Sequence, residues 1–256
     1  MTLTEKAALA ERAARASGEM LEHHGAFKIH RKSENDFVTE MDFKSEALIR
    51  QTLLTACPED QFFGEETGGA TQAPGRWIVD PIDGTANFMR GQRLYTISIA
   101  YEHDGALQIG CVYCPGTDEL FLAVRGQGAT LNGHPIHVSD TASLRDAIVH
   151  MGFGVRVPSH RERTLAVFPA LLRSVSDVRR TGSAAYDLCC VAAGRADAYL
   201  ELGINLYDYG AGYVILTEAG GTFTGWADGE DGLASGNPLA TNGRIHEAVR
   251  QIVKRL

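Results

Sequence analysis

Between Trp77 and Phe88 the sequence reads WIVDPIDGTANF, and its two acids, Asp80 and Asp83, flank a proline and an isoleucine. Three apolar residues, Trp77, Ile78 and Val79, form a buried-type strand that delivers Asp80 to a strand end, where loops and function concentrate. Pro81 lacks an N–H and fixes φ, so the turn after Asp80 is stiff. Such a turn can aim Asp80, the Ile82 carbonyl and Asp83 at one point, and three hard oxygen donors suit a cation such as Mg²⁺. Gly84 and Thr85 then open a short helix through Met89, whose free N–H groups suit a phosphate. Asp-Pro-Ile-Asp-Gly also fits a plain turn with Asp83-Gly84 at its tip, so the stretch alone leaves both readings open.

Two further acid sites keep it company. Gly64-Glu65-Glu66 follows a short apolar run, although a Glu pair in isolation reads as a solvated surface feature. Asp208, in the stretch YDYGAG, stands directly ahead of a small-residue helix, where an N-cap role is the plain reading. Capping and coordination are compatible, because one carboxylate oxygen can do each.

Other candidates carry less. Cys111 and Cys114 have CxxC spacing inside a strand-like run, with no second pair, and read as small buried residues. The five cysteines are odd in number and two are adjacent, which argues against a disulfide framework and for a reducing compartment. His134-Pro-Ile-His137 and His23-His24 read as surface features rather than ligand sets. Arg179-Arg180 is too small a basic patch to indicate nucleic acid. A formal charge of −8, from 24 basic and 32 acidic residues, argues mildly against a nucleic-acid binder. It does not argue against an anionic substrate, because bound cations invert the local sign. No apolar run approaches a membrane span, and the N-terminus is a charged helical pattern rather than a signal peptide, so a cytoplasmic protein is expected.

The elements that must position these groups follow from periodicity. Helices are expected over about Thr4–Leu21, with a Thr2/Glu5 capping box, and over Asp42–Ala56. His30 to Glu40 between them reads as a polar connecting stretch. A short strand at Gln61–Phe63 and an antiparallel meander follow, with Asn132-Gly133 as a hairpin turn. Beyond it, strands at Ala147–Phe153, Val178–Arg180, Ala196–Glu201, Thr222–Trp226 and Leu239–Ala240 alternate with helices at His160–Ser174, Ser183–Ala193, Tyr209–Ala219 and Ile245–Leu256. That alternation means a sheet covered by helices. One compact unit, residues 1–256, with halves of about 1–142 and 143–256, describes the chain most simply.

The three acid sites occur in this order with KSENDFVTEMD (Lys32 to Asp42), RRTGSAA (Arg179 to Ala185), VAAGRAD (Val191 to Asp197) and a helix ending in TEAGG at Gly221. The set resembles the inositol monophosphatase family of lithium-sensitive phosphatases, across essentially the whole chain. The resemblance implies an α+β fold layered αβαβα, two or three Mg²⁺ ions and a phosphomonoester substrate. It implies that Glu65, Asp80, the Ile82 carbonyl, Asp83 and Asp208 are metal ligands. Thr85, with Asp42 behind it, would orient the attacking water together with Glu65. Asp83, Gly84, Thr85, Gly182, Ser183, Ala184, Glu201 and Asp208 would face the substrate, Glu201 through a substrate hydroxyl. Lys32 would steady the loop ahead of Asp42. Inositol monophosphate is the expected substrate, with histidinol phosphate or another sugar or nucleotide phosphate as the alternative. A homodimer and lithium inhibition are implied as well. A non-enzymatic role with the RNA-processing or transcription machinery, seen in some bacterial relatives, is the alternative of a different class. Two departures from the family pattern stand out: Tyr207 where Trp is usual, and Gly210 where Ala is common.

The chemistry is consistent with that expectation. A phosphate monoester carries about two negative charges near neutral pH, so an acidic site needs cations to accept it. Those cations can also activate the attacking water, with no covalent intermediate. The cysteines read as buried, and Ser183 has no base beside it in the sequence.

Overall fold

A computed structural model describes residues 1–33, 36–155 and 157–254. The chain opens with α1 (Leu3–Glu22), started by a Thr2/Glu5 capping box and buried along an alanine-rich face. Strands β1 (Ile29–Ser33) and β2 (Asp36–Thr39) pair antiparallel, so the polar stretch expected between the first two helices is two strands. Here pairing of Phe37 and Val38 with Arg31 and His30 overrides a polar composition. Helix α2 (Glu40–Ala56) begins two residues earlier than expected, because Thr39 is its N-cap and Asp42 closes a second capping box. Then come β3 (Gln61–Gly64), β4 (Gly68–Gly69), β5 (Gly75–Asp83), α3 (Thr85–Met89), β6 (Thr96–His103), β7 (Ala106–Cys114), β8 (Glu119–Val124), β9 (Ala129–Leu131) and β10 (His134–Pro135).

The second half continues with β11 (Ile148–Met151), α4 (Pro158–Ser174), β12 (Asp177–Arg179), α5 (Ala184–Ala192), β13 (Ala198–Leu200), α6 (Leu206–Glu218), β14 (Thr222–Thr224), α7 (Gly232–Ser235), β15 (Leu239–Thr241) and α8 (His246–Lys254). Among the described residues, strands β3 to β10 form one mixed sheet in the order β10-β9-β8-β7-β6-β5-β3-β4. A second sheet runs β12-β11-β13-β15-β14. Asn132 and Gly133 both adopt positive φ, as the two-residue hairpin between β9 and β10 requires.

The layers run αβαβα. Helices α1 and α2 cover one face of the larger sheet, with Leu21, Ile49, Leu53 and Trp77 in the apolar seam. Helices α5 and α6 fill the middle layer between the two sheets, packing Leu188, Tyr209 and Ile215 against Ile78, Val112 and Tyr199. Helices α4 and α8 close the far side around Val167, Leu171, Trp226 and Val249. The middle layer is tight: a Cβ on Gly110 of β7 would overlap the Ala211 carbonyl of α6. Among the described residues, no helix is long and apolar enough to cross a membrane. All five cysteines are buried and free, including both members of the CxxC pair in β7.

Candidate active site

Strand β5 does not end at Val79. It runs through Pro81 to Asp83, and its register against β6 breaks there: Asp80 lies opposite Ser98 and Asp83 opposite Thr96. Three residues of β5 therefore span two of β6, which is a β-bulge, and a bulge tolerates the proline that a regular central strand would reject. Ser45 of α2 fixes the bulge by donating its hydroxyl to the Pro81 carbonyl at 3.0 Å. The neighbouring strand β3 runs parallel to β5 with Gly64 opposite Val79, so Glu65 and Asp80 emerge side by side.

Glu46, a buried acid on α2, sets the Glu65 turn. Its Oε2 accepts the Glu66 N–H at 2.8 Å and its Oε1 the Thr67 N–H at 3.1 Å. Gly64 allows this approach, because a Cβ there would overlap the Glu46 carboxylate.

The third acid comes from α6. Asp208 is not ahead of the helix but inside its first turn, where it closes a capping box with the true N-cap, Asn205. The Asn205 N–H donates to Asp208 Oδ2 at 2.6 Å. Tyr207 packs against Phe63 with ring centroids 6.2 Å apart, and its hydroxyl accepts from Asn205 Nδ2 at 2.7 Å. A tryptophan N–H, being a donor only, could not accept that hydrogen bond.

Asp80, Asp83 and Asp208 each place a carboxylate oxygen within 4.8 Å of the others, and all three are buried. Each is tethered through one oxygen. Asp80 Oδ1 accepts the Ile82 N–H at 3.0 Å. Asp83 Oδ2 accepts the Ser183 hydroxyl at 2.6 Å and the Ala185 N–H at 2.7 Å. Ser183 thus does have a carboxylate beside it, and its role in the structure is to aim Asp83. Burial and the neighbouring charges of Glu65, Asp83 and Asp208 push the Asp80 carboxyl well above the usual range. Burial likewise pushes Asp83 up to about 7, despite its hydrogen bonds.

Asp42 stands behind this group. Its Oδ2 accepts the Thr39 N–H at 2.7 Å and the Thr39 hydroxyl at 2.6 Å, while Oδ1 lies 3.1 Å from the Thr85 hydroxyl. Thr85 Oγ1 is also 3.0 Å from the Ile82 carbonyl. Burial pushes Asp42 up to about 6. Gly84, the cap of α3, has φ +95°, a conformation that favours glycine.

A cleft holding about 150 Å³ of free space joins these groups. It is lined by Glu65, Asp80, Ile82, Asp83, Gly84, Thr85, Gly182, Ser183, Ala184, Glu201 and Asp208. The sequence-derived site residues thus lie around one cavity, save two. Asp42 sits behind the wall, in contact with Thr85. The side chain of Lys32 lies outside the described residues. The all-oxygen donor set and the crowding of buried acids fit hard divalent cations, which would relieve like-charge repulsion that nothing apolar could.

Residues 2–256 match the model of the inositol monophosphatase family. The chain belongs to that family. It is 39% identical over 253 residues to the Nus factor SuhB of Vibrio cholerae, covering 96% of this chain and 94% of that protein. Its structure is similar to that of inositol monophosphatase from Anabaena (TM-score 0.88, 32% identity, 100% of this chain and 98% of that one). It is also similar to the extragenic suppressor protein suhB from Bartonella henselae (TM-score 0.91, 34% identity, 96% and 97%). A relative named a Nus factor leaves partners in the RNA machinery open, against the expectation drawn from charge. The physical reason is simple: a net charge of −8 averages the whole surface and says nothing about one contact face.

Several residues around the cleft escape a sequence reading. Arg180 contributes a cation to the cleft wall and lies 5.9 Å from the Phe153 ring centroid. Its adjacency to Gly182-Ser183 was the available signal. Asp187 on α5 faces the same cavity and joins His150 Nδ1 at 2.5 Å and the Thr181 hydroxyl at 2.8 Å, bracing the loop that carries Gly182 and Ser183. Glu46, His150 and Asp187 carry no local motif, so nothing short of the fold brings them to the site.

Proposed function

We propose that this protein hydrolyses small phosphomonoesters with Mg²⁺, and that a polyol phosphate of the inositol monophosphate type is its substrate. The observation that carries the reading is the convergence of Asp80 and Asp83 from β5 with Asp208 from α6, within 4.8 Å, beside Gly84 and Thr85. Glu65, Asp80, the Ile82 carbonyl, Asp83 and Asp208 would hold two or three Mg²⁺ ions. Bound there, Mg²⁺ supplies neutralisation of the phosphoryl charge and activation of water.

The chain's own groups do the rest. Asp42, with Oδ2 saturated by Thr39, offers Oδ1 to the Thr85 hydroxyl. A Thr85 that donates there presents its lone pairs to a water, which Glu65 orients from the opposite wall. The Gly84 and Thr85 N–H groups meet the phosphate at the start of α3. Gly182, Ser183 and Ala184 form the substrate wall, and Glu201 meets a hydroxyl of the leaving alcohol. Because the cleft draws on both halves of the chain, we read residues 1–256 as one catalytic unit. Five free, buried cysteines support a cytoplasmic setting. The family reading carries lithium inhibition and a homodimer, checked by assay with LiCl and by sedimentation.

A phosphate-release screen with and without Mg²⁺, over inositol monophosphate, histidinol phosphate and sugar and nucleotide phosphates, tests reaction class and substrate together. Release from none of them would refute the reading. A second reading rests on the 39% identical relative named a Nus factor: a partner role in the RNA machinery. Stoichiometric co-purification with RNA polymerase, and rescue of a deletion strain by an Asp83→Asn variant, would favour it.

A further inference from the structure

Glu201 follows directly on β13, and its carboxylate is held by a small set of neighbours inside the cleft. Tyr199, two residues earlier and fully buried, donates its hydroxyl to Glu201 Oε2 at 2.7 Å. Residues two apart in extended chain point to the same face, so the pairing is built into the strand. The other oxygen, Oε1, is met by the Gly154 N–H at a long 3.4 Å. Gly152, tied to β13 through its N–H to the Leu200 carbonyl at 3.0 Å, lies so close that a Cβ there would overlap the carboxylate. One oxygen is therefore pinned by a strong donor and the other is weakly held, on a residue that lines the cavity.

The geometry points to Tyr199 as a positioning residue that selects leaving groups bearing a hydroxyl, by fixing Glu201 so that Oε1 faces the substrate as a hydrogen-bond acceptor. This rests on the phosphatase reading above. An alcohol with a hydroxyl donor near its phosphate fills Oε1. A leaving group without one leaves Oε1 with only the long Gly154 contact, and an under-satisfied acceptor built for a substrate hydroxyl discriminates strongly between analogues. The burial that raises the Glu201 carboxyl above its usual range adds to the demand for a donor. Tyr199 is itself pushed upward by burial and nearby acids, so it stays a neutral O–H donor.

Tyr199→Phe removes one hydroxyl and no packing. Its kinetics would be compared with wild type on inositol 1-phosphate, rich in hydroxyls, and on p-nitrophenyl phosphate, which has none on its leaving group. The expected result is a fall in kcat/KM of about 10- to 100-fold on inositol 1-phosphate, carried mainly by KM. Turnover of p-nitrophenyl phosphate should stay at the wild-type value. Gly152→Ala, which displaces the carboxylate directly, should reproduce the selective loss while circular dichroism remains native. An equal loss on both substrates, or no loss on either, overturns the assignment. Wild-type protein that cleaves neither substrate overturns the phosphatase reading and the assignment with it, whereas active wild type with an unchanged Tyr199→Phe profile overturns the assignment alone.

Discussion

Asp83 shows how much a single carboxylate can be made to do. Its Oδ2 is occupied by Ser183 and Ala185, and burial, with the charge of Asp187 nearby, pushes its carboxyl up to about 7. Asp83→Asn keeps the size and loses the charge, so turnover should fall by at least about 100-fold, the scale of losing one preorganised electrostatic group. Thermal unfolding in EDTA should show that the variant is folded. The pH dependence follows from the same burial. Asp42 is pushed up to about 6 and Asp83 to about 7, both from 3.8, so the metal-free fold holds extra protons. A raised carboxyl stabilises the fold where it is protonated, and that stability is lost as pH rises from about 4 through about 7. Without metal, the melting temperature should therefore be higher near pH 5.5 than near pH 8, roughly. With Mg²⁺ the order should reverse, since the ion binds the deprotonated acids. Scanning calorimetry in EDTA and in MgCl₂ checks both signs.

At this scale the sequence is informative where donors are contiguous. Asp80, Ile82, Asp83, Gly84 and Thr85 share one stiff turn, so their chemistry can be seen in a row. Asp208 is ambiguous alone and gains meaning only from its place in a family pattern. Ser183 looks inert until the fold sets it against Asp83, and Tyr199 shares a strand face with Glu201 by spacing alone, although only the fold shows the hydrogen bond between them.

Among the elements, β5 and α2 are the parts that make the site rigid. Proline inside β5 is accommodated by a bulge, and a reader of the sequence would end the strand before it. Helix α2 supplies Ser45 to the bulge and Glu46 to the Glu65 turn, yet both look like ordinary helix positions in the sequence. Glu46→Ala would leave the Glu66 and Thr67 N–H groups without their acceptor. The expected cost is about 1–3 kcal/mol of stability, together with weaker Mg²⁺ binding by titration calorimetry. Helix α6 gives a prediction of the opposite sign. A Cβ on Gly210 would meet Leu206, Ala100 and Leu107 at 3.5–3.7 Å, ordinary contact distances. Gly210→Ala should thus stabilise the protein by about 0.5–1 kcal/mol through helix propensity, read as a rise in denaturation midpoint. Glycine at 210 is therefore not required by packing, and its effect on α6 is one of helix propensity.

For the whole molecule, the meander and the helix-covered sheet after it were legible in the periodicity and the αβαβα layering only through the family resemblance, while the hairpin of β1 and β2 was hidden by its polar composition. The cleft lies where the larger sheet, the middle helices and the end of β13 meet, so cation binding should couple to global stability. Mg²⁺ at about 100 times its dissociation constant should add about 2.7 kcal/mol to unfolding, an effect that Asp83→Asn should largely remove. The most direct measurement of the central claim is inorganic phosphate released from inositol monophosphate by wild type and Asp83→Asn, with MgCl₂ and with EDTA. Release by the wild type that requires Mg²⁺ and disappears in the variant is the predicted result. Release that persists in the variant or in EDTA, or a wild type that liberates no phosphate, would contradict it.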